Sequence, residues 1–500
     1  MSWLRRLPGG LPLGLAVASV VLWTGLRAPR TRLLGNEALD TWSHAWGIRW
    51  VYDALSQGSM PWRVDGLAWP EGGVLWYIDP LGALVSLPFQ AIWGTAAGHN
   101  AILFVQVVLA TWAGWAFARA LGGQGWLAGV AMGTAPTFLA EIHNGTVEAC
   151  WIGLVPLAAW AAARRSPWAG VLVGLAATAT PYHGVSAALL VATLLWFEPH
   201  RTKTPGGTGR SLGDWRSRMR RLAMAGGLAI VVTLPSFLAM RASLEHSEGI
   251  ARKPPAGENF PVFRINAVDP QALVQPGDFW SVPLGGPLET PFRRTPYLGL
   301  GLLVLAGAGT LRRRRHGWLW LPASACVILA LGPYLWHDGD WVRTADGSMV
   351  GLPFRWLLLG LGISMDHPLR FVGGAIAVLA AMADRFLSPA QSPSPQTPST
   401  RWRLLAISAA LAVSTEHLLV APSVWPLDTS DAVLPQVYRL LPQDGTAVID
   451  LPADRGESIA TNRYLYWHAL HGRALPYAHK VSSQGFPSFN AALRTWTAAG

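Results

Sequence analysis

Long apolar runs separated by short polar connectors set the pattern of this chain. Runs of about 20 apolar residues, enough for one helix to cross a bilayer, lie at 99–119, 124–141, 147–163, 221–241, 317–336, 370–387 and 402–420. A first run, 9–26, follows Arg5 and Arg6. Its Ala-x-Ala triplet, Ala16-Val17-Ala18, lies within the run and not at its end before the arginines, so it reads as an uncleaved first span. The run 296–311 ends at Arg312-Arg313-Arg314-Arg315 and is another span. Residues 167–197 are too long for one helix and are broken by Thr180-Pro181-Tyr182-His183-Gly184. They predict two short helices meeting at an outer loop. The run 79–94 is 16 residues long and contains Pro88, so it reads as a re-entrant or interfacial helix.

The basic residues then orient the chain. Residues 198–221 carry seven Arg/Lys, 312–315 carry four, and Arg164-Arg165 form a third group. Positive connectors stay in the cytoplasm. Counting back from them gives eleven spans with the N-terminus inside and the C-terminus outside. Arg27, Arg30 and Arg32 run against this, but the parity of every later loop outweighs them. The outer material is then the stretch 27–98 with its interfacial helices, the loops 243–295 and 337–369, and everything after 420. The Pro/Ser/Gln-rich stretch 388–401 reads as a flexible cytoplasmic linker. Loop mass concentrated on one side predicts work on that side. The fold class expected is an all-α polytopic membrane protein (1–420) with a small extracytoplasmic αβ segment (421–500).

Composition agrees. Of 500 residues, 51% are apolar and 13% charged, about half the charged share of a soluble domain. A disordered chain would not be this apolar. The net charge of +11 suggests nucleic acid until its location is considered. Residues 27–78 hold five arginines against five acids, and 243–294 hold five basic residues against six acids. The surplus sits on the cytoplasmic connectors and sets topology, so no nucleic-acid partner is expected. Only three of the 39 basic residues are lysines, which reflects base composition more than chemistry. Cys150 and Cys326 both lie in apolar runs, which excludes a disulfide framework and a Cys-based zinc site. No repeat of 20–50 residues and no inverted repeat is seen.

Ionisable residues at a membrane boundary are costly unless they face a partner or a cavity, which makes the acids and histidines outside the first places to look for chemistry. In the first loop, Asp40 opens a helical pattern reaching about Leu55. Trp42, Trp46 and Trp50 form one stripe on it, and Asp40 and His44 lie on nearly the opposite face. That division predicts a helix lying in the interface with its polar face toward an outer cavity. Asp40 is either a cap for this helix or a catalytic group. Glu71, in Pro70-Glu71-Gly72-Gly73, reads as a turn residue, and Asp79 as the cap of the interfacial helix or a substrate contact. The short second loop packs Glu141, His143 and Glu148 into eight residues. Its Asn144-Gly145-Thr146 matches a glycosylation acceptor too tight to the membrane to be used. His183 would face outward from the broken helix pair. Arg370, after Asp366-His367-Pro368-Leu369, either snorkels or meets a phosphate at the surface. Together these groups suit transfer from a lipid-phosphate donor: a carboxylate as general base, and cationic groups or a divalent metal (Mg or Mn) for the departing phosphate. No defined metal motif is present, Gly-rich phosphate loops and HExxH are absent, and the one GxSxG match, Gly209 to Gly213, falls in the basic cytoplasmic connector and not between a strand and a helix.

The layout over most of 9–420 resembles the GT-C superfamily of membrane glycosyltransferases, which use polyprenyl-phosphate sugars. The likeness lies in a first span, a long outer loop with an acid before an interfacial helix, the apolar run opening at Asp79-Pro80, two spans with a tight basic turn at Arg119, and a second acidic loop. It is similar to a poorly characterised bacterial branch in Asp40, His44 and Trp46, in Pro70 to Gly73 followed by Asp79, and in Tyr297-Leu298-Gly299. The resemblance implies Asp40 as the catalytic acid of the first loop and Glu141 or Glu148 as that of the second. It departs from the pattern in lacking an Asp-x-Asp pair in the first two outer loops and the tryptophan–aspartate motif of oligosaccharyltransferases. Residues 433–441 and 457–471 read as helical, and 446–452 as a strand after an Asp-Gly turn. Related proteins place a soluble domain here. Eighty residues hold a core only just, so the segment is expected to be a truncated domain leaning on the membrane part. The expected function is sugar transfer from a lipid-linked donor to a lipid, glycan or protein at the outer face of a bacterial inner membrane. The alternative is a non-catalytic or transport protein that binds or moves lipid-linked saccharides. Membrane lipids surround either. Oligomeric state is not legible.

Overall fold

The computed structural model describes residues 9–67, 69, 74–75, 79–197, 213–246, 266–276, 292–312, 314–338, 340–361, 365–388, 400–420, 424–442, 446–451, 461–476 and 495. Glu71, the linker from 389 to 399, and most of 243–291 lie outside them.

The expected apolar runs are helical. The first is α1 (Leu11–Val21) continued by α2 (Trp23–Leu26). After the short strand β1 (Arg32–Leu34) comes α3 (Thr41–Ser56), then the hairpin of β2 (Arg63–Val64) and β3 (Val74–Leu75). The helices α4 (Pro80–Trp93) and α5 (Thr95–Ala120) meet at Gly94, whose φ of 86° closes one helix and opens the next. Pro136 breaks the next run into α6 (Trp126–Gly133) and α7 (Pro136–Asn144). A 3-10 stretch, Val147–Gly153, leads into α8 (Leu154–Ala163). The predicted broken pair is present as α9 (Trp168–Ala179) and α10 (Pro181–Phe197), joined by the extended Thr180. There is no outer loop between them, because Pro181 starts α10 at once. Then follow α11 (Gly213–His246), α12 (Leu300–Arg312), α13 (Trp320–Ala330), α14 (Pro353–Leu361), α15 (Val372–Phe386) and α16 (Thr400–Thr415).

Two described stretches, Thr95–Ala120 and Trp215–Ala239, are long and apolar enough to cross a membrane by themselves. The remaining apolar helices are shorter, so the expected eleven spans do not follow from helix length. The helix α5 lies at the centre, packed by α1, α4, α6, α8 and α15. Peripheral helices turn large apolar side chains outward: Ile230, Val231, Val304 and Leu411 are each more than 60% exposed. Water would oppose such a surface and lipid would not.

A buried acid ties the bundle at one end. Asp384 of α15 accepts from the backbone N–H groups of Gln124 (2.6 Å), Gly125 (2.8 Å), Leu127 (2.9 Å) and Ala128 (3.3 Å). It thus fills the role of an N-cap for α6 from another helix, satisfying donors that α6 cannot pair itself. Asp384→Leu should leave four buried donors unpaired. Since each such donor costs about 1–3 kcal/mol, the unfolding temperature of the detergent-solubilised protein should fall by more than 10 °C. A drop under about 2 °C would show the cap to be dispensable.

The first loop and the C-terminal segment form one layer. The strand β4 (Thr429–Asp431) pairs antiparallel with β1, with Leu33 opposite Ser430. The last described helix, α17 (Thr461–His471), packs on α3 and ends at Gly472 in the left-handed region. This corrects the interfacial reading of α3. Trp42 is buried against Tyr466 (centroids 5.4 Å), and Trp46 donates from its indole to Nδ1 of His468 (3.2 Å). Trp46 also stacks on Trp50 (6.5 Å), whose indole is bonded to the carbonyl of Pro61. The tryptophan stripe therefore faces protein. Burial pulls His468 down to about 4, so it stays neutral and keeps an acceptor for Trp46. A second correction concerns 446–452. Its described part is irregular, tied by Val448 N–H to the carbonyl of Ala474 (2.9 Å), and residues 436–440 form one 3-10 turn where a longer helix was expected.

Candidate functional site

The end of α7 organises the polar cluster. A helix leaves its last four carbonyls without internal partners. Here the carbonyls of Glu141 and Ile142 are closed by the N–H groups of Thr146 and Gly145, both at 3.1 Å. Those of His143 and Asn144 are closed from the first loop, by the N–H of Asn36 (2.8 Å) and of Asp40 (3.1 Å). Gly145, at φ +76°, allows the approach: a Cβ there would sit 2.3 Å from the backbone nitrogen of Thr41. The two loops are thereby locked together at the start of α3.

Arg370 occupies the centre. It does not snorkel: it is 8% exposed and held between two acids of the second loop. Its Nε donates to Oε1 of Glu141 (2.9 Å) and Nη2 to Oε2 (3.3 Å), while Nη1 stands 3.2 Å from Oε1 of Glu148. The hydroxyl of Thr146 also donates to Oε2 of Glu141. Glu148 reaches back to the first loop, with its Oε2 3.4 Å from Nδ1 of His44. The guanidinium lies 5.8 Å from the Tyr182 ring, whose hydroxyl accepts from the N–H of His367 (2.7 Å). Thus the structure brings together Glu141, Glu148, His44 and Arg370.

Asp40 stands one turn before His44, at the N-terminal end of α3. It occupies the cap position, but its side chain makes no capping bond. Among the described residues its part-exposed carboxylate has no hydrogen-bond or ion-pair partner, whereas its backbone is anchored on both sides. His143 is turned away from the Arg370 cluster toward the C-terminal segment, with Nδ1 3.5 Å from Asp428. His183 is not an outer-loop residue. It lies in the first turn of α10, 2% exposed, with Nε2 2.7 Å from the carbonyl of Ala149. It thereby braces the 3-10 stretch that carries Glu148.

Asp79 caps α4, accepting from Gly82 N–H (2.9 Å), and Oδ1 also accepts the indole N–H of Trp151 (2.9 Å). Its Oδ2 is buried with no partner among the described residues, and its own φ is +41°. Burial, with Glu148 nearby, raises its pKa from 3.8 to about 7. The sign follows directly. As pH rises from 3.8 the unfolded chain ionises while the folded one stays protonated, so Asp79 removes stability progressively up to about 7 and constantly above it. The loss at pH 8 is at most roughly 4 kcal/mol, at 1.36 per unit. Asn keeps the acceptor for Gly82 and Trp151, tolerates positive φ, and carries no charge. Asp79→Asn should therefore raise the unfolding temperature at pH 8 by several degrees and have little effect near pH 4. A pH-independent change, measured by differential scanning fluorimetry, would remove Asp79 as the source.

Sequence reading missed Arg294, Asn144 as a clamp, Trp151 and Tyr182. Asn144 holds the backbone of Arg293 at both ends, accepting from its N–H and donating to its carbonyl, each at 2.8 Å. Arg294 follows, with Nε on Oδ1 of Asn266 (2.9 Å) and Glu141 close enough to raise its pKa; burial outweighs this and lowers it to about 10, leaving a cation. The only legible signal was an Arg-Arg pair just before Tyr297-Leu298-Gly299. Among the described residues no group of three or more His, Cys, Asp or Glu side chains is placed to hold a metal ion. The expected Mg or Mn does not fit this arrangement, because Glu141 and Glu148 are both turned onto Arg370.

No protein family model matches the chain, and no curated protein does. Solved structures do. The neighbours are oligosaccharyltransferases. One is the archaeal oligosaccharyltransferase AglB from Archaeoglobus fulgidus in complex with an inhibitory peptide and a dolichol-phosphate, at 12% identity and TM-score 0.45, over 98% of this chain and 68% of that one. Others are the Archaeoglobus fulgidus oligosaccharyltransferase in the apo form (13% identity, TM-score 0.43, 98% of this chain and 68% of that one) and in complex with Zn and sulfate (12%, 0.42, 98% and 66%). The chain spans about two thirds of their length.

Proposed function

We propose that this protein is a GT-C-type membrane glycosyltransferase, crossing the bacterial inner membrane eleven times and acting at its outer face. It moves a sugar from a polyprenyl-phosphate-linked donor to a lipid, glycan or protein. The observation that carries the reading is the junction of the two acidic loops. An uncommitted carboxylate, Asp40, is fixed by its backbone on the loop whose own acids are held by Arg370. A buried ion-pair framework with an acid at its margin that is free among the described residues supports surface chemistry. A transport path would place such groups near mid-span.

In the proposed step the acceptor oxygen attacks the anomeric carbon and the bond from that carbon to the phosphate oxygen breaks. The electron pair leaves with the phosphate, and the acceptor proton passes to Asp40. Glu141, Glu148 and Arg370 position the loops and make no bond to the reacting atoms. His44 holds Glu148, and Asp79 orients Trp151 in the 3-10 stretch. No step is routed through a metal.

The test uses membranes from cells expressing the protein, incubated with a panel of radiolabelled polyprenyl-phosphate sugars. Label should move into a lipid, glycan or protein product with the wild type and not with Asp40→Asn. No transfer by the wild type over the panel would favour a protein that binds or moves lipid-linked saccharides.

A further inference from the structure

We infer that Arg294 is the residue that contacts the donor's phosphate. The inference rests on the transferase reading and names the anion-binding group of that site. A phosphate needs a cation with N–H donors still free. Arg370 has few to offer, since Nε, Nη1 and Nη2 all face Glu141 or Glu148. Arg294 differs. Its Nε is held by the neutral amide of Asn266, which in turn donates to the carbonyl of Asp366 (3.0 Å). Its Nη1 is buried and has no partner among the described residues, nor has the hydroxyl of Thr295 beside it, a residue only 1% exposed. The bond that orients this guanidinium is thus to a neutral group, with Glu141 near enough to act on its charge but not hydrogen-bonded to it. A buried donor without a partner is costly in a resting protein, and an incoming anionic oxygen would supply what is lacking.

The position fits as well. The Asn144 clamp on Arg293 fixes the backbone just before Arg294 to the end of α7, one turn from Glu141. Arg294 also packs over Phe292, 4.7 Å from the ring centroid. That contact would suffice for a purely structural arginine, and the experiment separates the two roles.

Purified protein in nanodiscs is titrated with farnesyl phosphate, farnesol and inorganic phosphate, following tryptophan fluorescence. Wild type should bind farnesyl phosphate and not farnesol. Arg294→Gln should weaken farnesyl phosphate about ten- to a hundredfold, as expected for loss of a charge-assisted contact, with its unfolding temperature retained. Arg294→Lys keeps the charge and should bind within about tenfold of wild type. Unchanged affinity in Arg294→Gln overturns the inference and leaves the transferase reading standing. A folded Arg294→Lys without affinity also overturns a charge-based contact, and it decides the matter if Arg294→Gln does not fold. Inorganic phosphate bound as tightly as farnesyl phosphate overturns the assignment to a lipid-linked donor. Failure of the wild type to bind farnesyl phosphate overturns the donor class and this inference together.

Discussion

Arg370→Met should abolish recovery of folded protein. The substitution leaves Glu141 and Glu148, 7% and 20% exposed, facing the space where one cation was paired with both. Removing one partner of a buried ion pair typically costs about 3–5 kcal/mol, and here two acids lose the same partner. That is a large part of the stability of an ordinary domain. The failure should be visible as loss of the monodisperse peak in size-exclusion chromatography of detergent extracts. The triple variant Arg370→Met, Glu141→Gln, Glu148→Gln removes every charge in the framework and should recover much of the folded peak. Full-strength recovery of Arg370→Met alone would mean that the acids do not depend on Arg370, and the framework described above would fall with it.

The contrast between these residues explains what the sequence could and could not reveal. Apolar runs are local, so the helical segments were legible, and so was the break before Pro181. The two faces of α3 were also legible, because helical spacing alone separates Trp42, Trp46 and Trp50 from His44. What covers the tryptophans was not: α17 lies more than 400 residues later, and Trp46 meets His468 across 422 positions. Without that partner, lipid was the simplest cover. Glu141 and Glu148 stood out by being acids at a boundary, but their shared counter-ion is 229 residues away from Glu141. Hence Arg370 had only surface readings. The isolated cap Asp384 gave no signal at all, because its four partners are backbone N–H groups that any sequence supplies. Asp40 was legible as a position and not as a state. Only the structure shows that its backbone is anchored while its carboxylate has no partner among the described residues.

That distinction makes Asp40→Asn the sharpest test of catalysis. Asn is nearly isosteric, and the backbone bonds from Asp40 to Asn144 and His44 do not involve the side chain. The variant should therefore fold as wild type does, with the same unfolding temperature within about 1 °C, since neutral surface changes usually lie within ±0.5 kcal/mol. It should also bind farnesyl phosphate unchanged, because the proposed phosphate contact is a different residue. What it cannot do is accept the acceptor's proton. General-base catalysis contributes about 10²–10⁴-fold, so kcat should fall by that factor while KM for the lipid-linked donor stays within a few-fold. Asp40→Glu keeps the base but displaces it and should restore part of the rate. Asn caps a helix as well as Asp does, so normal fold and normal donor binding with lost turnover leave proton acceptance as the function removed. Undiminished kcat in Asp40→Asn would transfer the role to Glu148, which reaches the same helix through His44 at 3.4 Å. In that case Glu148→Gln should carry the whole loss of rate.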